Sequence, residues 1–262
     1  MKFEASNPIS AEEIHSHIRS AAARGLTQVL FQPPRKDALI VVGGGPSLKT
    51  PAILRDLRRR KGNIVALNGA HDFLIAKGIV PRGMMMYDPR ADNVGFLRAP
   101  RKGVTYYLAS QCHPDAFDAL AGHEVVLWHA ITGTNEADLL RELYGPTGPW
   151  CLIAGGTTVG TRAFYVGQAL GFHKFHVYGM DSCLGPDDEA HAYDQQLRGH
   201  IAEDRVKVEA AGRTFVATRW MHHQAMDFAE LLQAHGETLD ISVHGGGLLA
   251  AVLEQHNAQR PG

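Results

Sequence analysis

Short apolar runs alternate with amphipathic segments through most of the chain. The apolar runs predict strands at residues 38–42, 63–67, 83–87, 104–109, 124–128, 175–178 and 239–243. Between them, apolar residues recur at helical spacing, as at residues 51–61, 70–77, 158–170 and 221–234. Strands that alternate with helices pair in parallel. The pattern therefore predicts an α/β fold, a Rossmann-like and mostly parallel sheet with helices on both faces.

The first 36 residues carry a different pattern. Ser10 and Glu13 have the spacing of a capping box, and a short amphipathic helix is predicted from there to about residue 23. A polar, proline-containing stretch at residues 32–36 separates this helix from the first core strand. We therefore expect an N-terminal helical appendage and linker at residues 1–36, and a single α/β domain at residues 37–262.

Composition and charge indicate which kinds of molecule the protein binds. The chain has 262 residues, a formal net charge of -1 and a pI near 6.9, which gives no electrostatic reason to expect nucleic acid or an anionic membrane. The N-terminus is acidic at Glu4, Glu12 and Glu13, so it does not resemble a secretory signal, and no apolar run is long enough to cross a bilayer. We expect a cytoplasmic protein whose partners are a nucleotide and a small-molecule acceptor.

A glycine-rich turn follows the first core strand. It consists of Gly43, Gly44, Gly45, Pro46 and Ser47. Thr50 is the predicted N-cap of the next helix, and Pro51 its first residue. A turn of this kind points backbone N–H groups and the positive end of a helix dipole at one place, which favours phosphate. Leu48 stands where a dinucleotide fingerprint or a P-loop needs glycine, so neither of those motifs is present. The alternative is a sharp connection without a ligand.

A second glycine-rich segment precedes the helix predicted at residues 158–170. Gly156 leads into Thr157, the predicted N-cap, and Thr158. Two anion cradles facing one crevice would suit a di- or triphosphate. The sequence therefore predicts nucleotide binding by both segments.

Polar residues end several of the predicted strands. Asn68 follows the second core strand, where its amide can contact a base or ribose or can cap the next helix. Asp88 and Asp181 end two other strands, and carboxylates at a sheet edge suit Mg²⁺. Asp88 can alternatively hold a sugar hydroxyl or form a turn with Pro89. His191 lies in an acidic loop that is either solvated or catalytic.

The ordered set of these motifs resembles the MptE-like family, with matching order and spacing across roughly residues 37–249. The motifs are Gly43-Gly44-Gly45-Pro46-Ser47-Leu48, Ala66-Leu67-Asn68, Gly78-Ile79-Val80-Pro81, Tyr87-Asp88-Pro89, Gly155-Gly156-Thr157-Thr158, Val177-Tyr178-Gly179-Met180-Asp181 and His191-Ala192-Tyr193. The type member of that family is an archaeal 6-hydroxymethyl-7,8-dihydropterin diphosphokinase that uses ATP and Mg²⁺. A thinner similarity extends to bacterial sialyltransferases that use CMP-sialic acid.

The resemblance implies a nucleotide-dependent transferase, and a diphosphokinase is the leading hypothesis. In it, the two glycine-rich segments hold phosphates, Asn68 contacts the nucleoside, Asp88 and Asp181 hold Mg²⁺, and His191 or Asp181 activates the acceptor. The alternatives are a nucleotide-sugar glycosyltransferase and a non-catalytic nucleotide-binding module. A sialyltransferase-like base would lie near residues 215–219, where there is no histidine, although His222 and His223 follow closely.

Overall fold

The structure is a computed structural model that describes residues 9–60, 62–194 and 205–260. The strands are β1 (Thr27–Gln28), β2 (Ala38–Val42), β3 (Asn63–Leu67), β4 (Gly83–Met86), β5 (Thr105–Ala109), β6 (Glu124–Ala130), β7 (Leu152–Ile153), β8 (Lys174–Tyr178), β9 (Arg205–Ala210), β10 (Arg213–Thr218) and β11 (Asp240–His244). The helices are α1 (Ala11–Ala22), α2 (Pro51–Arg59), α3 (Ala70–Ala76), α4 (Pro114–Asp118), α5 (Glu136–Tyr144), α6 (Val159–Ala169), α7 (Arg219–His235) and α8 (Leu248–Ala258), with 3-10 turns at Pro46–Lys49 and Ala91–Phe96.

One sheet organises the described residues. Its strands lie in the order β1-β6-β5-β4-β3-β2-β8-β11, with β7 beside β6, and every pair within it is parallel. β9 and β10 form a separate antiparallel hairpin. β3, β4, β5 and β6 are added one after another on one side of β2, and β8 then pairs with the other side of β2. The boundary between β2 and β8 is therefore a topological switch point, where open α/β sheets bind ligands.

Helices cover both faces of the sheet because the central strands are apolar on both sides. Leu39 and Val41 of β2 belong to a large core that includes residues of α6, α7 and α8. Ile40 and Val42, the alternate residues of the same strand, pack in a second core with residues of α2 and α3. This arrangement confirms the predicted Rossmann-like α/β fold with helices on both faces.

The N-terminal segment packs on the edge of this sheet. The Ser10 hydroxyl accepts a hydrogen bond from the Glu13 amide at 3.1 Å, so the predicted cap is present. Ile14 and Ile18 of α1 form a small core with Leu139 and Leu140 of α5. β1 pairs with β6, a contact that the sequence pattern did not predict because the strand has only two residues. The predicted appendage thus adds both a helix and an edge strand to the domain.

Candidate functional site

The loops after β2 and β8 meet at the switch point. The Gly43 amide donates to the Tyr178 carbonyl at 2.8 Å, and the Gly45 amide donates to the Gly179 carbonyl at 2.6 Å. The two segments therefore stay paired beyond the ends of their strands. A methyl group added at Gly43 would lie 2.6 Å from the Gly179 oxygen, so packing against β8 is one reason for glycine there.

The glycine-rich turn already holds a carboxylate from within the chain. The Ser47 amide donates to Asp181 Oδ2 at 2.9 Å, and Asp181 is only 7% exposed. Burial raises the pKa of Asp181, and the hydrogen bond from the Ser47 amide opposes that rise. The predicted open phosphate cradle is therefore corrected: an internal carboxylate lies where an anion would bind.

The helix start predicted beside this turn is also different. Pro46–Lys49 forms a 3-10 turn before α2 begins, so α2 does not point directly at the glycines. Thr50 precedes α2, but its side chain makes no capping hydrogen bond. A 3-10 turn therefore separates the positive end of the α2 dipole from the glycines, and the donors nearest to them are single amides and hydroxyls.

Several polar atoms around the turn lack hydrogen-bond partners. The Gly44 amide donates to no atom of the described residues. Ser47 Oγ is buried without a partner in hydrogen-bonding geometry, although it lies close enough to Asp181 to oppose the rise in the pKa of that carboxyl. Asn68 Oδ1 is also buried without a partner. Asn68 follows β3, the neighbour of β2, has a φ of 47°, and does not cap α3. Because buried polar atoms are nearly always paired, these atoms make the turn a candidate site for a polar ligand.

The loop after β8 folds back over the same turn. The Ala192 amide donates to the Gly44 carbonyl at 2.9 Å, and the Tyr193 ring lies within 3.0 Å of where a side chain would begin at Gly44 or Gly69. The His191 ring centroid is 5.7 Å from that of Tyr193. His191 is thus placed beside the glycine-rich turn, as the hypothesis of acceptor activation requires. Tyr193 itself had no assigned role from the sequence.

The second glycine-rich segment also holds an internal carboxylate. The amide and the hydroxyl of Thr157 both donate to Asp227 Oδ2 of α7, at 2.6 and 2.8 Å. Gly156 packs against the same carboxylate. The predicted N-cap is wrong by one residue, since Thr158 caps α6 in a reciprocal pair with Thr161. This cradle is therefore filled as well.

A glutamine of α7 completes the contacts of the second segment. Gln224 Nε2 donates to Thr158 Oγ1 at 2.8 Å, and Gln224 Oε1 accepts from the Ser182 hydroxyl at 2.7 Å. Gln224 thus links the start of α6 to the loop after β8. His222 and His223 directly precede it, in the first turns of α7.

A buried arginine of α6, Arg162, bonds to the second glycine-rich segment and to neighbouring loops. Arg162 of α6 is 4% exposed and donates to the carbonyl oxygens of Gly156, Ile153 and Ile131 at 2.7, 3.0 and 2.7 Å. It also donates to the Tyr87 hydroxyl at 3.2 Å. Its planar head has five N–H donors, so it can bond these four oxygens at once, whereas a lysine has only three donors.

The two predicted metal ligands do not come together. Asp88 follows β4 and accepts a hydrogen bond from Arg90 Nε at 2.9 Å and a second from Arg90 Nη2. β3 and β2 lie between β4 and β8, so the strands that carry Asp88 and Asp181 are about 14 Å apart. In the described ranges no group of three or more histidine, cysteine or acidic side chains could hold a metal ion. Asp181 fits a cation that takes its remaining ligands from phosphates and water, and Asp88 does not fit that same ion.

Three residues of this site had no assigned role from sequence. Asp227 and Gln224 lie within a predicted amphipathic helix, and nothing in that pattern shows which face meets α6. Tyr193 was noticed only as part of a family motif. The sequence gives only an indirect indication of Tyr193. Gly44 and Gly69 have no side chain, and the Tyr193 ring packs where one would lie.

The fold and the site together define an open parallel α/β protein with buried, unpartnered polar atoms at its switch point. A family model, 6-hydroxymethylpterin diphosphokinase MptE-like, matches residues 14–187. The chain belongs to the MptE-like family, as its motifs predicted. The family supports a nucleotide-related transferase.

A solved glycosyltransferase structure shares the fold. The MAf glycosyltransferase from Magnetospirillum magneticum AMB-1 matches with a TM-score of 0.64 and 16% identity, over 97% of this chain and 42% of that one. This chain therefore spans less than half of that protein. A mammalian sialyltransferase, solved with Gal-beta-1-3GalNAc-ortho-nitrophenol, has a TM-score of 0.45, 9% identity and coverage of 93% and 82%. No curated protein matches the chain. In the described residues no helix is long and apolar enough to span a membrane.

Proposed function

We propose that this chain binds a nucleotide at the β2–β8 switch point and transfers part of it to a small acceptor. The observation that carries the proposal is the pair of buried, unpartnered atoms Ser47 Oγ and Asn68 Oδ1. They follow neighbouring strands at the carboxyl edge of the sheet, where such folds bind ligands. A phosphate oxygen would accept from Ser47 Oγ and the Gly44 amide, and a ribose hydroxyl or base amine would donate to Asn68 Oδ1.

The leading form of the proposal is a diphosphokinase that moves diphosphate from ATP to a hydroxymethyl acceptor of pterin type, in the cytoplasm. The family name supports this choice. Mg²⁺ would neutralise charge on the phosphates, and Asp181 would be its protein ligand. His191, beside Tyr193 over the glycine-rich turn, would take the proton of the acceptor hydroxyl. Asp181 must leave the Ser47 amide before a phosphate can use that amide.

The second candidate is transfer of a sugar from a nucleotide sugar such as a CMP-sugar. One observation favours it: His222 and His223 directly precede Gln224, which contacts both the Ser182 loop and the start of α6. A histidine at this position could act as the base for a sugar acceptor. Sugar transfer with a histidine base does not require a two-carboxylate metal site, and Asp88 and Asp181 do not form one.

Calorimetry with ATP, ATP plus Mg²⁺, and CMP tests the proposal on the full chain. We expect tight binding of one nucleotide, and an affinity at least tenfold lower in Ser47→Ala, because one hydrogen bond to a charged phosphate is lost. Ser16→Ala, the same substitution at an exposed position of α1, is the matched control. A wild-type affinity in folded Ser47→Ala would contradict the proposed site.

Product analysis separates the two reactions. Release of AMP from ATP with 6-hydroxymethylpterin supports the diphosphokinase, and release of CMP from a CMP-sugar supports the glycosyltransferase. We expect His191→Ala to slow the first reaction by about a hundredfold or less. We expect His222→Ala or His223→Ala to slow the second by about two to four orders of magnitude. Nucleotide binding without formation of either product would support the third hypothesis, a non-catalytic nucleotide-binding module.

A further inference from the structure

One tryptophan, Trp220, lies in the first turn of α7. α7 starts at the carboxyl edge of the sheet, where Gln224 contacts Ser182 and Thr158, and ends near the start of β11 at the opposite edge. Trp220 precedes Gln224 by one helical turn, so its backbone lies about 6 Å further toward the crevice side along the helix axis. Its position in the helix therefore places it above the loop that starts α6.

Trp220 shares a side of α7 with the residues that hold this loop. Gln224 and Asp227 are four and seven residues after Trp220, and residues at this spacing lie on one face of a helix. Both contact the Gly156–Thr158 segment, through Thr158 and Thr157 respectively. The face that carries Trp220 is thus the face turned toward the candidate site.

The exposure of Trp220 is unlike that of the other two tryptophans of the chain. Trp128 is fully buried, and its indole N–H donates to the Tyr107 carbonyl at 3.3 Å. Trp150 is partly buried and donates to the Gly145 carbonyl at 2.9 Å. Trp220 is 59% exposed, and its ring lies 6.3 Å from that of His223. The core does not need this large apolar ring, which leaves one face of it for a ligand.

We propose that Trp220 stacks on the ring of the acceptor. This inference rests on the proposed transferase function and adds the position and chemical class of the second substrate. A flat apolar surface with an N–H at its edge suits a planar heterocycle or the apolar face of a sugar ring. The nucleotide would lie at the glycine-rich turn, and the acceptor ring would enter from the α7 side. Trp220 would then decide which acceptor rings bind, while Ser47 and Asn68 bind the nucleotide.

The test is calorimetry of the full chain with 6-hydroxymethylpterin and, separately, with lactose, each with and without saturating ATP or CMP. We expect wild-type protein to bind one of the two rings, and Trp220→Ala to bind it roughly tenfold or more weakly, as for loss of one stacking contact. Trp220→Phe should restore most of that affinity because it keeps an aromatic face. Met226→Ala, which removes another exposed apolar side chain of α7 on a different side, should leave it unchanged.

The outcomes separate this inference from the proposed function. Unchanged ring affinity in Trp220→Ala, or wild-type protein that binds nucleotide but neither ring, would overturn the role of Trp220 and leave the nucleotide site standing. Loss of nucleotide affinity in Trp220→Ala would also overturn it, because Trp220 would then act on the nucleotide. Absence of nucleotide binding in wild-type protein would instead overturn the proposed function.

Discussion

The two glycine-rich segments look alike in sequence and differ in the structure. Each places an amide beside a carboxylate from elsewhere in the chain: Ser47 with Asp181, and Thr157 with Asp227. In the second segment Asp227 accepts from both the amide and the hydroxyl of Thr157, and Gln224 bonds to Thr158. In the first segment, Ser47 Oγ stays unpaired.

This difference distinguishes a candidate binding turn from a turn whose polar groups are already paired. Both segments satisfy the same rule, glycines before a helical turn with a hydroxyl residue. Only the segment at the switch point keeps buried polar atoms without partners, and a ligand can satisfy those atoms. The fully paired segment supplies stability and holds α7 in place. The proposed nucleotide site therefore centres on residues 43–47 and Asn68, and we propose a supporting role for Gly156, Thr157 and Thr158.

The largest expected effect is on stability, at Gly45. A methyl group there would lie 2.8 Å from the Gly179 oxygen, which is backbone and cannot move aside alone. Gly45→Ala should lower the free energy of unfolding by about 2–3 kcal/mol, measured by urea denaturation. Gly246→Ala, where a methyl group would meet nothing within 4 Å, is the control. Equal stability of the two variants would show that β2 and β8 are not packed as described.

The next effect tests the structural role of the second segment. Asp227→Ala leaves both donors of Thr157 without an acceptor, and we expect it to cost about 2 kcal/mol of unfolding free energy. Nucleotide affinity should stay within about twofold of the wild-type value, because the variant removes hydrogen bonds within the protein and no proposed contact to the nucleotide. Glu230→Ala, which removes an exposed carboxylate one turn later, is the control. A large loss of nucleotide affinity with normal stability would reverse our assignment of the two segments.

The fold was more predictable than the site, for a physical reason. Strands such as β2 and β3 are buried on both faces, so their apolar runs are visible in sequence. The site depends on contacts between distant segments: Asp181 on Ser47, Asp227 on Thr157 and Tyr193 on Gly44. Local sequence patterns identify amides that are able to bind an anion. They do not show whether a carboxylate from a distant part of the chain already accepts a hydrogen bond from those amides.

A smaller effect, on binding alone, is expected at Asn68. Asn68 and Asn135 both have positive φ, of 47° and 63°, and glycine accepts that conformation without strain. Asn68→Gly and Asn135→Gly should therefore change stability by less than about 1 kcal/mol each. Only Asn68→Gly should weaken nucleotide binding, by about tenfold, because it removes the unpartnered amide. If both variants bind nucleotide like the wild type in calorimetry, Asn68 is not a nucleoside contact.

The smallest effect concerns the charge of Asp181 and depends on pH. Burial raises the pKa of this carboxyl above its ordinary value of 3.8, so the folded state keeps its proton where the unfolded chain has lost it. Stability then falls as pH rises from that ordinary value through the folded pKa, because ionisation is less favourable in the buried site.

The Asp181→Asn variant tests this effect. Its asparagine can still accept a hydrogen bond from the Ser47 amide but cannot ionise. Asp181→Asn should match the wild type below the ordinary pKa and be more stable than the wild type at pH 7. Thermal unfolding from pH 3.5 to 8 measures this difference, with the exposed Asp92→Asn as control. A variant less stable than the wild type at pH 7 would show that the charged carboxylate stabilises the turn, and that Asp181 belongs with Asp227 as a structural anion.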